Sequence, residues 1–195
     1  MTAAERMTSG LLRQAIRPGQ TKTVMELASE KLPGLKFSPL TGRLSAQAFA
    51  SWDLLRRTVH YRPKDKEMFI SLMHEIFHAA QAWFDGSFTR HGSTKRTQKI
   101  AKTLSHHGNL TAYDVYTFAE NCWTEAPLIK RLKALKPNAK KYLRRLWLYE
   151  IQVHDWTLRH AKQLGLRLKD LALEVHPRTQ RNDYAYLLSL LMPLK

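Results

Sequence analysis

One cysteine, Cys122, stands among 195 residues, so no disulfide can form within the chain and a disulfide-stapled scaffold is excluded. No apolar run approaches the length of a membrane span, and the first twenty residues, MTAAERMTSGLLRQAIRPGQ, lack the continuous apolar core of a signal peptide. The expected compartment is therefore the cytoplasm, with association to a nucleoid or virion as a further option. No internal repeat or low-complexity segment stands out. A hydrophobic content of 44% over this length suits one domain, or one domain with an extension, with a proper buried core.

Acidic residues are the other scarcity. Sixteen Asp and Glu face thirty-two Lys and Arg, a formal net charge of +16, well beyond what solubility requires and of the sign that favours a polyanionic partner. The shortage is also local. From Gly86 to Tyr113 no acid occurs while Arg90, Lys95, Arg96, Lys99 and Lys102 do; from Ala126 to Tyr149 acids are again absent, among Lys130, Arg131, Lys133, Lys136, Lys140, Lys141, Arg144 and Arg145. A single charge run usually marks a solvated helix face. Two in one chain make Lys95, Arg96, Lys99, Lys102, Lys140, Lys141, Arg144 and Arg145 candidates for phosphate contacts with nucleic acid, which fix position without reading sequence.

Against this background one apolar stretch, MFISLMHEIFHAAQAWF from Met68 to Phe84, carries His74, Glu75 and His78 in the spacing HExxH. On a helix, histidines four apart lie on one face, so both imidazoles can reach one metal ion, while Glu75 projects from the next face. From there a carboxylate can hydrogen-bond a water beside the metal without ligating, the position a general base needs. Random order would give this pentapeptide in roughly one chain of such composition in fifty. Three polar side chains in a buried helix are costly without a purpose. Asp65 can cap the helix start and Asp85-Gly86 can end it.

A zinc centre needs a third protein ligand. The metzincin pattern HExxHxxGxxH requires Gly and His where Gln81 and Phe84 stand, and the thermolysin-like spacing fails because no Glu occurs between Glu75 and Glu120. Asp114 in TAYDVY is conceivable. His91, followed by Gly92 and a helix-start signal at Ser93 or Thr94, is a loop histidine able to fold back onto the metal. Glu120 is its rival: on a helix over 111–126 it falls between Tyr113 and Tyr116 in the apolar arc, where a carboxylate needs an arginine, a metal or the N–H of a metal-bound histidine.

The order of a turn-rich segment, a strand candidate RTVHYR at 57–62, the HExxH helix, a loop and a His-Gly pair opening a helix resembles the SprT-like metallopeptidase domain, over about Gly42 to Gly108. The resemblance implies His74, His78 and His91 as ligands of one Zn2+ and Glu75 as catalytic base. The cysteine-rich ribbon carried by many relatives has no counterpart here. Strands are expected at 44–50 and 55–62, helices at 21–32, 111–126 and from Ala139 to about Leu164, and the apolar C-terminal run YAYLLSLLMPL is expected to dock on the core or a partner. His106, His107, His154 and His160 read as structural or solvated.

The expected fold class is thus α+β, mostly helical, with a small antiparallel sheet beside the zinc-binding helix: a metallopeptidase domain over 1–126 and a basic helical extension over 127–195. The expected function is zinc-dependent peptide hydrolysis on a protein or peptide substrate, acting on or recruited by nucleic-acid-associated proteins. The alternative is a non-catalytic basic nucleic-acid-binding protein of a virion or nucleoid, whose zinc only stabilises the fold.

Overall fold

A computed structural model describes residues 1–15, 20–39, 50–63, 68–95, 97–99, 130, 132–171 and 176–191. The fold is α+β and mostly helical. By contacts the chain forms two compact units: Met1–Thr97 with Trp156–Asp170, and Gln98–Asp155 with Leu171–Lys195.

The first unit opens with α1 (Ala3–Gln14), which starts at a capping box: Thr2 accepts the Glu5 amide while the Glu5 carboxylate accepts the Thr2 amide. Helix α2 (Thr21–Lys31) follows. Thr21 is its first residue, and Gln20 is the cap, without a side-chain bond. Strands β1 (Lys36–Pro39), β2 (Ala50–Asp53) and β3 (Thr58–Tyr61) form a sheet in the order β1-β3-β2. The β2–β3 pair is an antiparallel hairpin, whereas β1 runs parallel to β3 along its other edge. The sheet is therefore mixed, not wholly antiparallel. A hairpin occupies one edge of β3, which leaves only the opposite edge for β1, and the Pro39 that ends β1 is tolerated there because an edge strand can spare an N–H. Of the strand expected over 44–50, only Ala50 lies within the described residues.

Helix α3 (Met68–Phe84) packs on α1, α2, β2 and β3. Leu72, Met73, Ile76, Phe77, Ala79 and Ala80 are wholly buried, so its all-round apolar sequence reflects contact on most of its circumference. Its C-terminus is a Schellman motif: Ser87 N–H bonds Ala82 O at 2.8 Å and Gly86 N–H bonds Trp83 O at 3.1 Å, with Gly86 at φ +73°. The expected stop at Asp85-Gly86 is thus the observed one. Asp65 lies outside the described residues.

Next comes a tight hairpin, β4 (Phe88–Thr89) and β5 (Gly92–Ser93). It is tied down from both sides. Arg57, in the β2–β3 turn, donates to Arg90 O at 2.7 Å, and Ser93 Oγ donates to Leu54 O at 2.6 Å. Gly34, at φ +91°, lets the chain pass this knot, since a Cβ there would lie 2.6 Å from the Arg57 guanidinium and 2.9 Å from Arg90 O.

Helix α4 (Pro137–His160) contributes its last turn to this unit. Trp156 packs against Phe77 of α3 with ring centroids 5.5 Å apart and donates its indole N–H to Ser9 Oγ of α1 at 2.9 Å. His160 stacks on Trp156, bonds the Trp156 carbonyl through Nδ1 at 2.9 Å and contacts Ser9 Oγ through Nε2 at 3.3 Å. His160 is therefore structural. A 3-10 turn at Leu168–Asp170 closes the unit.

The second unit is built on the remainder of α4 and on α5 (Pro177–Leu190). Its core joins Leu132, Leu135, Ala139, Tyr142, Leu143 and Trp147 to Tyr184 and Leu187 of the C-terminal run, so that run docks on the core. Pro137 occupies the first position of α4, where its missing N–H costs nothing. No helix among the described residues is long and apolar enough to cross a membrane.

Candidate metal centre

The HExxH segment lies in the interior of α3, more than a turn from either end, so helix geometry puts the two histidines on one face. His74 and His78 are half-buried, and their Nε2 atoms approach to 3.1 Å. Two nitrogens bound to one tetrahedral zinc through ~2.0–2.1 Å bonds lie ~3.3 Å apart. The pair stands close to that separation on adjacent turns of one helix.

The tautomer of His78 follows from its other nitrogen. Nδ1 lies 2.9 Å from Oε1 of Gln81, a carbonyl oxygen that can only accept, so Nδ1 carries the hydrogen. In a neutral imidazole Nε2 then carries the lone pair and is the atom that can accept or ligate. Within the 3.1 Å contact it accepts from His74 Nε2–H.

Glu150, on α4, offers a third ligand atom: one such atom from each of His74, His78 and Glu150 lies within 4.8 Å of the other two, and all three residues are half-buried. It is the one group of three His, Cys, Asp or Glu with metal-ligand spacing among the described residues. Two imidazoles and a carboxylate are a donor set that zinc takes in catalytic centres. Glu150 is six residues, about 9 Å of helix, before Trp156. Four residues on, His154 is buried and stacks on Tyr184, with Nε2 3.9 Å from a Glu150 oxygen. Glu75, also half-buried, is outside the group.

His91 is not brought to this group. It occupies the exposed turn of the β4–β5 hairpin, its backbone N–H bonded to Thr89 Oγ1 at 3.3 Å. The physical reason is loop length: with Thr89 paired to Gly92, only Arg90 and His91 remain for the turn. Such a turn has no slack to fold back onto α3. The helix start expected after His-Gly is present, with Thr94 Oγ1 accepting the Thr97 amide at 3.3 Å. Glu120 and Asp114 lie outside the described residues, as do Arg96 and Lys102.

Among the remaining basic candidates, Lys95, Lys99, Lys141 and Arg144 are exposed and Lys140 and Arg145 half-exposed. Lys140 Nζ donates to Lys133 O at 3.1 Å, and Arg145 lies over the Tyr142 ring at 5.4 Å. On α4 Lys141 and Arg144 occupy the arc opposite Ala139, Leu143 and Val153, which are buried, and Lys140 and Arg145 lie on its two flanks. No family model, characterised protein or solved structure matches the chain.

Proposed function

We propose that the protein is a zinc-dependent metallopeptidase of SprT-like type, a reading carried by the approach of the His74 and His78 Nε2 atoms to 3.1 Å on a helix that also carries Glu75. Glu150 is the proposed third ligand in place of His91, since its carboxylate lies in reach of both imidazoles. Three protein ligands leave one tetrahedral position for water or substrate, which separates a catalytic centre from a closed structural one. Zinc, when bound there, supplies Lewis acidity that lowers the pKa of water and polarises a peptide carbonyl. Glu75 takes the proton of the attacking water and passes it to the leaving amine.

The experiment is a proteolysis assay with Glu75→Gln, which keeps size and hydrogen bonding but cannot take a proton. Activity should fall by about 10²- to 10⁴-fold with zinc content unchanged. Retained activity overturns the assigned base, and a wild type that binds zinc yet cleaves nothing favours a structural metal.

The same reading assigns the outward arc of α4 to nucleic acid. Lys141 and Arg144 of that arc, and Lys133 and Lys136 just before the helix, make no ion pair among the described residues. The apolar face of α4 is occupied by its own core, which leaves no inserting face of the kind a membrane-surface helix uses. Unpaired cations on one face fit a phosphate backbone.

A further inference from the structure

We infer that Gln81 is a positioning residue for the metal centre: its amide oxygen holds His78 in the one neutral tautomer whose Nε2 lone pair faces the cation. The inference rests on the reading of His74 and His78 as metal ligands, but the atoms that carry it lie on one helix. Gln81 is three residues after His78 on α3, on the same side of the helix, and only 4% exposed. A primary amide at such a depth is costly unless its polar atoms are used. Here Oε1 takes Nδ1–H of His78 at 2.9 Å. That bond does two things.

It sets the tautomer, because an imidazole whose proton sits on Nδ1 presents a bare Nε2, the atom 3.1 Å from His74 Nε2. It also sets the ring plane, because rotation about the Cβ–Cγ bond would break the contact. The ligand nitrogen is thus aimed before any metal arrives, and the only proton between the two Nε2 atoms is the one His74 donates. To ligate through Nε2, His74 would give up that proton and carry its hydrogen on Nδ1 instead, whereas His78 would keep the tautomer it already has. The position that departs from the metzincin pattern, Gln81 instead of glycine, is therefore filled by the partner that orients the second histidine. Ligating histidines commonly give their other N–H to a carboxylate or carbonyl, and loss of that partner typically weakens metal binding by about 10- to 100-fold.

The test uses the full chain and two readouts. Zn2+ affinity is measured by competition with a chromophoric chelator, and the tautomer of His78 by long-range ¹H–¹⁵N NMR of the metal-free protein at a pH where imidazoles are neutral. Wild type should show His78 protonated at Nδ1 with and without zinc. Gln81→Met, which keeps the volume and removes the acceptor, should bind Zn2+ about 10- to 100-fold more weakly and shift metal-free His78 toward the Nε2–H form. Gln81→Glu, which keeps an acceptor, should restore both the affinity and the Nδ1–H tautomer. Wild-type His78 protonated at Nε2 overturns the inference whether or not Gln81→Met folds. Equal Zn2+ affinity of folded Gln81→Met overturns it too, while leaving the metal centre standing. If wild type binds Zn2+ no better than His78→Ala, the metal centre itself falls, an outcome visible without any change at Gln81.

Discussion

Helices α3 and α4 treat polar residues in opposite ways. In α3 the helix is apolar on nearly every side, so its five polar residues, Ser71, His74, Glu75, His78 and Gln81, are exceptions, and the last four fall in or beside the candidate metal centre. In α4 half the surface is polar by design. Its charged residues divide among four tasks: Glu150 near the two histidines, the basic arc facing outward, Asp155 paired with Arg181, and Arg159 held by α1. A polar residue is informative where burial makes it costly, and loses that force where solvent accepts it at little cost.

The sharpest way to break this comparison is at the third ligand. Glu150→Gln should weaken Zn2+ affinity by about 10²-fold or more, because an amide oxygen replaces an anionic ligand. His91→Ala should leave affinity within about twofold, as expected for an exposed turn residue outside the ligand set. Competition titration of the two variants side by side decides the matter. A His91→Ala protein that loses zinc while Glu150→Gln keeps it would return the centre to the arrangement implied by the family resemblance.

What could be read in advance follows the same logic. The α3 limits, its C-terminal stop and its two histidine candidates were legible because an apolar run of seventeen residues ending at Asp-Gly admits few alternatives. Glu150 carried a signal of the same kind as Glu120. It sits on the buried arc of α4 with Leu143, Trp147 and His154, one turn before a histidine. Its place beside the histidines was not legible, because it lies seventy-five residues from Glu75 and no local spacing rule reaches so far. Nor was strand β1: four residues, one of them proline, carry too little alternation to separate a strand from a turn. The placing of His91 in a tight turn was not legible either, since sequence marks a turn but not that its flanks pair at Thr89 and Gly92.

The outward face of α4 gives a smaller effect. In fluorescence-anisotropy titrations with a generic DNA duplex, in EDTA and over a salt series, log affinity should fall linearly with log salt. Lys141→Gln combined with Arg144→Gln should reduce the slope by about 2 and the affinity at 0.1 M salt by about tenfold. Lys162→Gln with Lys169→Gln removes the same charge from exposed positions elsewhere and should have the weaker effect. Equal effects of the two pairs would assign binding to net charge alone, and anionic vesicles that respond to the α4 pair more than DNA does would assign the arc to a membrane.

The smallest effect lies at the far end of α4, where a charge serves the fold alone. Glu5 is 6% exposed. Burial pushes its carboxyl pKa up, but the Thr2 amide and the Arg159 guanidinium outweigh burial and hold it below the ordinary carboxylate value. A pKa depressed by folding contributes stability that is fully present above the unfolded carboxyl pKa and is lost as pH falls through the folded value. Glu5→Gln should therefore cost about 1–2 kcal/mol near pH 7, a modest amount because Arg159 is 57% exposed and its charge is screened. The cost should shrink on acidification from about pH 5 to pH 2 as the wild-type carboxylate is protonated. Urea melts of both proteins across that range measure it. A difference that stays constant with pH would mean that Glu5 acts only through hydrogen bonds a neutral amide also makes, and the ion pair with α4 would then contribute nothing to stability.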